Sequence, residues 1–213
     1  MRRAGLVAFV LAGTLVSLKP DFSIFPPSLE NAAYAQKRNS NGDIQKWIKE
    51  GGASELTDAD ENTRLNAAWK LRYAVDDGAE ISLAQPALTK ALADSNQNVK
   101  GYAAFALCMT HIRKNEWTKA SALLKHTDSE VRVNAAWAVG SAAEKRFDLT
   151  SVLPVLQKAL SDENELVRWN ASKALSLHYL AGGARKKFDA LLKSDNEDIR
   201  QGAEEASRIF KPR

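Results

Sequence analysis

Between Leu149 and Leu160 the apolar residues Leu149, Val152, Leu153, Leu156 and Leu160 recur at i, i+3, i+4, i+7 and i+11. That spacing draws one apolar stripe along a helix. Pro154, and Pro86 in a similar stretch, stand near the helix start, where a missing N–H has no partner to lose. The polar run Ser161-Asp162-Glu163-Asn164 then supplies capping residues for a second helix. In the second helices a different face is apolar and small; Val131, Ala135, Ala138 and Val139 are an example. Small side chains there let neighbouring helices approach closely. The pattern predicts a helical hairpin whose apolar face is too large to bury alone.

The hairpin repeats. Arg64, Lys100, Arg132, Arg168 and Arg200 follow one another at intervals of 36, 32, 36 and 32 residues. Eight positions before these anchors stand Leu56, Leu92, Leu124, Leu160 and Leu192, and three positions after them Ala67, Ala103, Ala135, Ala171 and Ala203. A β-branched residue precedes every anchor: Thr63, Val99, Val131, Val167 and Ile199. Asn66-Ala-Ala-Trp69 returns as Asn134-Ala-Ala-Trp137, 68 residues later, so a two-repeat unit was duplicated. Self-similarity at this period predicts hairpins that stack, each drying the apolar face of the next.

The string Leu160-Ser-Asp162-Glu-Asn-Glu-Leu-Val167-Arg168-Trp-Asn-Ala171 resembles the HEAT repeat family, in the short form also found in phycobilisome-lyase-type proteins. The resemblance runs from about Asp43 to Phe210. Thr63 in the first repeat, Lys100 in the second and the displaced Asp195 in the fifth depart from it. It implies an all-α fold, an α-solenoid or superhelix of about five HEAT-like hairpins, with the second helices forming the concave surface. The ends fit: Ile44, Trp47 and Ile48 form a short leading helix with Asp43 as its cap and Gly51-Gly52 as its end. Gly202, Glu204, Glu205, Arg208 and Lys211 give the last repeat a polar face.

The first 35 residues read differently. Arg2 and Arg3 precede an uncharged run from Ala4 to Leu18, too short to cross hydrocarbon as a helix, and Ala33-Tyr34-Ala35 offers a small-x-small cleavage site. The expected organisation is a signal peptide over 1–35 cleaved after Ala35, a flexible leader over 36–42 and a HEAT-like repeat domain over 43–213. An uncleaved anchor is the competing reading, and it is the sole expected contact with a membrane. The expected location is periplasmic or secreted.

Composition narrows the function. The chain has 213 residues with 30 Lys plus Arg and 26 Asp plus Glu; removing 1–35 leaves 27 and 24, a mild surplus without the basic stripe of a nucleic-acid protein. The one cysteine, Cys108, lies in an apolar helical stretch and reads as a buried thiol. His111, His126 and His178 stand apart, and no Gly-rich phosphate loop or nucleophile elbow is present, so no catalytic residue, metal or cofactor is expected. The anchors Arg64, Lys100, Arg132, Arg168 and Arg200 each follow an acid, Asp60, Asp94, Asp128, Asp162 or Asp198, which predicts ion pairing within and between repeats rather than an anion ladder.

Two columns remain for function. Five positions past the anchor stand Trp69, Phe105 and Trp137; two past it stand Asn66, Tyr102, Asn134 and Asn170. Stacked, they form an aromatic and amide stripe suited to gripping a peptide or protein. The same residues also fit packing between repeats, with the asparagines bonded to neighbouring turns. The expected function is a non-catalytic, exported protein-binding scaffold with a protein or peptide ligand on the concave face and no nucleic acid. One alternative is a HEAT-like DNA-repair protein using Lys70, Arg72, Lys100 and Trp69 in a groove. The other, implied by the phycobilisome-lyase resemblance alone, is a bilin-handling protein.

Overall fold

The computed structural model describes residues 41–211, so the signal-peptide and cleavage readings lie outside the described residues. Helix α1 spans Asn41–Lys49 and leads through the 3₁₀ turn Gly52–Thr57 into α2, Glu61–Asp76. Then follow α3 (Gln85–Ala91), α4 (Gln97–Arg113), α5 (Trp117–Leu123), α6 (Ser129–Glu144) and α7 (Leu153–Ala159). The chain closes with α8 (Glu165–Ala181), α9 (Arg185–Leu192) and α10 (Glu197–Ile209). No strand occurs among the described residues. Asn41 and Gly42, read as leader, belong to the first turn of α1, and Asp43 lies inside that helix rather than capping it.

The architecture is an all-α solenoid. The even-numbered helices α2, α4, α6, α8 and α10 form one row, each packed on the next, and the shorter leading helices pack against them. The seams are dry: Val131, Ala135, Ala138, Val139, Leu149, Val152 and Leu156 are fully buried. Alanines make this row close-packed, and at two places even a methyl is too much. A Cβ on Gly101 of α4 would stand 2.5 Å from Asn134 Nδ2 and 2.8 Å from Glu130 Oε1 of α6, and one on Gly202 of α10 would press into the Trp169 carbonyl of α8. Leu149–Leu160 is less regular than its periodicity predicts: Thr150–Val152 is a 3₁₀ turn, and the α-helix begins beside Pro154.

Side-chain caps start the long helices. Asp60, Asn96, Asp128, Asn164 and Asn196 each stand at the N-cap and accept backbone N–H groups of the first turn, satisfying donors that have no partner in the helix.

The anchor residues join successive repeats. Arg132 is typical: its Nε donates to Asp162 at 2.8 Å, one Nη to Asp162 and Glu163 at 3.0 Å, and the other Nη to the carbonyls of His126 and Thr127 at 3.0 Å. Arg64 makes the same clasp on Asp94 and the carbonyls of Asp58 and Ala59, and Arg168 on Asp198 and the carbonyls of Asp162 and Glu163. Lys100 reaches Asp128. Arg200 bonds only the carbonyl of Ser194 among these groups. The expected pairing is therefore present, and it is directed: the first four cations take the acid of the following repeat, and the four arginines grip the turn before their own helix.

The row of long helices is bent. Adjacent packed helices lie roughly 8–10 Å apart, so alternate members of a straight row would be roughly 16–20 Å apart. Yet Asp76 at the end of α2 accepts hydrogen bonds from Ser141 and Lys145 at the end of α6, both at 2.6 Å. Likewise Arg146, just past α6, donates to the carbonyl of Lys211 and lies over the Phe210 ring beyond α10. The C-terminal ends of the long helices thus converge, which makes their side of the solenoid the inner, concave side.

Candidate functional site

The two columns of the predicted stripe divide between surface and interior. Asn66 is exposed, and Trp69, Tyr102 and Trp137 are half-buried. Phe105 is fully buried, packed edge-on against Trp137 with ring centres 5.4 Å apart, so it presents nothing to a partner. Asn134 and Asn170 are also buried. The Asn134 amide donates to the carbonyl and carboxylate of Glu130, one turn back, and the Asn170 amide donates to the carbonyl of Leu166. All three make contacts within the row: Phe105 meets Trp137 of the following helix, whereas Asn134 lies against Gly101 and Asn170 beside Gly140 of the preceding one. Lys173 occupies the corresponding aromatic position of the fourth repeat, buried with Trp169 below it and paired with Glu144.

The structure adds Arg72 and Tyr73, which complete a cluster across α2, α4 and α6. Tyr73, 44% exposed, packs on Trp69 one turn earlier with ring centres 4.7 Å apart. Arg72 is only 6% exposed. Its guanidinium carbon lies 4.0 Å from the Tyr73 ring centre, 4.6 Å from Phe105 and 4.4 Å from Trp137. Phe105 is the floor of this cluster, and Tyr73, Tyr102 and Trp137 are its partly exposed walls. Attraction between a cation and an aromatic face offsets part of the desolvation of the guanidinium. Burial nevertheless pulls the Arg72 pKa below the ordinary arginine value, and Asp76 and Asp77 only oppose it from a distance. Burial also pushes the Tyr102 hydroxyl upward, so it is a neutral phenol at neutral pH.

The other cations read as a groove are engaged within the fold. Lys70 lies over the Trp47 ring at 4.1 Å, and Lys100 pairs with Asp128. A concavity of about 250 Å³ lies where the ends of α6, α8 and α10 converge, lined by Leu177, Ile209 and Phe210 with Glu144, Arg146 and Lys211.

His111 contacts Glu116 at 2.7 Å, and His126 accepts the Asp128 backbone N–H. Among the described residues no three potential metal ligands converge, and no helix is long and apolar enough to cross a membrane. The Cys108 thiol is fully buried, donates to the Ala135 carbonyl at 3.5 Å, and is pushed by burial up to about 12, which keeps it a thiol at neutral pH.

Stacked hairpins with a clasp at each step define a HEAT/armadillo-like repeat scaffold. Residues 118–208 match the family model described as HEAT repeats. Solved structures with which the chain aligns include a designed armadillo repeat protein, 22% identical over 87% of this chain and 95% of the other, with a TM-score of 0.47. Another is the complex of CpcE and CpcF of phycocyanin lyase from Nostoc sp. PCC7120, 19% identical over 71% of this chain and 73% of that one, with a TM-score of 0.41. Likenesses at this level carry no functional weight. No curated protein matches the sequence.

Proposed function

We propose that the protein is a non-catalytic scaffold that holds a protein or peptide on the inner face of its long helices, and that it works after export, with residues 1–35 as the signal for that step. The observation that carries the binding face is the cluster of Trp69, Tyr73, Tyr102 and Trp137. These are four aromatic side chains on three successive long helices, all with some surface accessible, on the side toward which the row bends. Aromatic groups of this kind supply large contact area with little loss of side-chain freedom, which is why they dominate binding hot spots. Asn66, exposed on α2, adds an amide to the same helix. Lys70 and Lys100 are occupied within the fold, and this favours a protein ligand over a nucleic-acid backbone.

Affinity capture from the envelope or secreted fraction of the source cell tests the reading, with the Trp69→Ala/Tyr73→Ala double variant as control. Both side chains lie at the surface edge of the cluster, so the variant should melt close to the parent chain while losing the captured partner. Capture that is equal in both proteins would remove this face from the function. Export is tested separately by fractionation: an N-terminus at Gln36 on the recovered protein supports cleavage after Ala35, and recovery in the cytoplasm with Met1 intact overturns it.

A further inference from the structure

Among the described residues, Arg72 is a strongly buried cation of the long-helix row that no acid of the fold accounts for. The other strongly buried cations of the array are held by acids: Arg132 by Asp162, Lys100 by Asp128 and Lys173 by Glu144. Arg72 is as deeply buried, yet among the described residues no carboxylate lies within ion-pair distance of it, and its Nε is sealed from solvent with no acceptor. A buried N–H without an acceptor and a buried charge without a counter-charge are both costly, and each calls for a partner that the described residues do not provide. Asp76, one turn further along α2, would be the natural mate, but its carboxylate is taken by Ser141 and Lys145.

We propose that Arg72 is an anion subsite within the binding face and takes a carboxylate of the bound peptide. This rests on the scaffold reading above and specifies the ligand for it. The planar guanidinium can offer paired N–H groups to a planar carboxylate, and the flanking rings of Tyr73 and Trp137 cover the apolar part of the residue that carries it. A phosphate dianion fits less well. It needs a second free cation, whereas the nearby Lys145 is committed to Asp76, and Asp76 and Asp77 add negative charge close by. Two sources have the same chemistry: the C-terminal carboxylate of a chain, and the side chain of an Asp or Glu within one.

The test uses the full chain and nuclear magnetic resonance of the Arg72 Nε–H and the Trp137 indole N–H. The probes are N-acetyl-leucine for a chain end, N-acetyl-glutamate α-amide for an acidic side chain, N-acetyl-leucinamide as the neutral control, and inorganic phosphate. Saturable shifts of both signals with one or both carboxylates, and none with the neutral amide, support the subsite; the tighter carboxylate identifies the source. Arg72→Met should weaken that binding by at least ~10-fold, the loss expected for a charge-assisted hydrogen bond. It should melt at the same temperature or higher, because a buried unpaired charge has been replaced by an apolar chain of similar reach. Equal shifts with acid and amide, tighter binding of phosphate than of either carboxylate, or no shift with any probe would each overturn the proposal. Should Arg72→Met fail to fold, the parent-chain titration still decides. A partner captured equally by Arg72→Met and the parent chain sinks the anion subsite and leaves the scaffold standing. A carboxylate response in a chain that captures nothing does the reverse.

Discussion

Arg132 on α6 and Arg72 on α2 belong to one helical row, with α4 between them, and are buried almost equally, 8% and 6% exposed. Arg132 spends its donors on two carboxylates and two carbonyls of the chain itself. Arg72 is wrapped by three aromatic rings and reaches no acid. Equal burial with opposite satisfaction separates a residue that builds the array from one that the array tolerates. Position explains the division, since Arg132 sits over the turns joining two repeats, where capping acids gather, and Arg72 sits over the inner faces of α4 and α6.

The contrast can be broken in several ways. Phe105→Ala should have the largest effect, about 3–5 kcal/mol of lost stability in chemical denaturation, because a fully buried ring leaves a cavity beneath both Arg72 and Trp137. If it costs under ~1 kcal/mol, the cluster is not a continuous part of the core. Arg132→Ala comes next, at about 2–4 kcal/mol, since it strands Asp162 and two backbone carbonyls. A loss no greater than for Arg72→Met would erase the distinction between the two arginines. Gly101→Ala should cost about 1–3 kcal/mol through overpacking against Asn134 and Glu130, with no change in partner capture.

Acid should weaken the partnered side selectively. Burial raises the Asp94 and Asp128 carboxyls, but hydrogen bonds from Arg64 and Lys100, backbone N–H groups and the cations' charge together outweigh it and hold both below the ordinary aspartate value of 3.8. Their stabilisation is complete above that value and is lost as the pH falls through the depressed ones. Glu130 runs the other way, because burial lifts its pKa and its ionisation works against the fold. Denaturant midpoints should therefore hold nearly level from neutrality down to about pH 5 and decline below about pH 4. A decline beginning near neutrality would point to groups outside the clasps. The smallest expected effect belongs to Cys108. Its thiol should resist alkylation in the folded chain and react only on unfolding, without altering capture.

The repeat was legible because its anchors obey spacing, and spacing is what a stack of like hairpins imposes on sequence. Pairing of the basic column with acids was legible too, but the choice of acid was not: Arg64 passes over its own Asp60, already an N-cap, and reaches Asp94. The inner face was read less well. Phe105, Asn134 and Asn170 share columns with Trp69 and Asn66, yet the middle of a bent row is covered by its neighbours, and column membership does not report that cover. Eight positions past the anchor stand Arg72, Cys108, Gly140, Ser176 and Arg208, small groups in the three inner repeats and arginine in the two end ones, so the column alone does not single out Arg72.

The clasps also give the array a growing end. The first four cations each reach an aspartate some 28 to 30 residues ahead, and among the described residues Arg200 holds the carbonyl of its own turn. A further hairpin grafted after Phe210, with an aspartate at that distance, would find a socket already waiting, whereas one grafted ahead of α1 would have to bring its own plug.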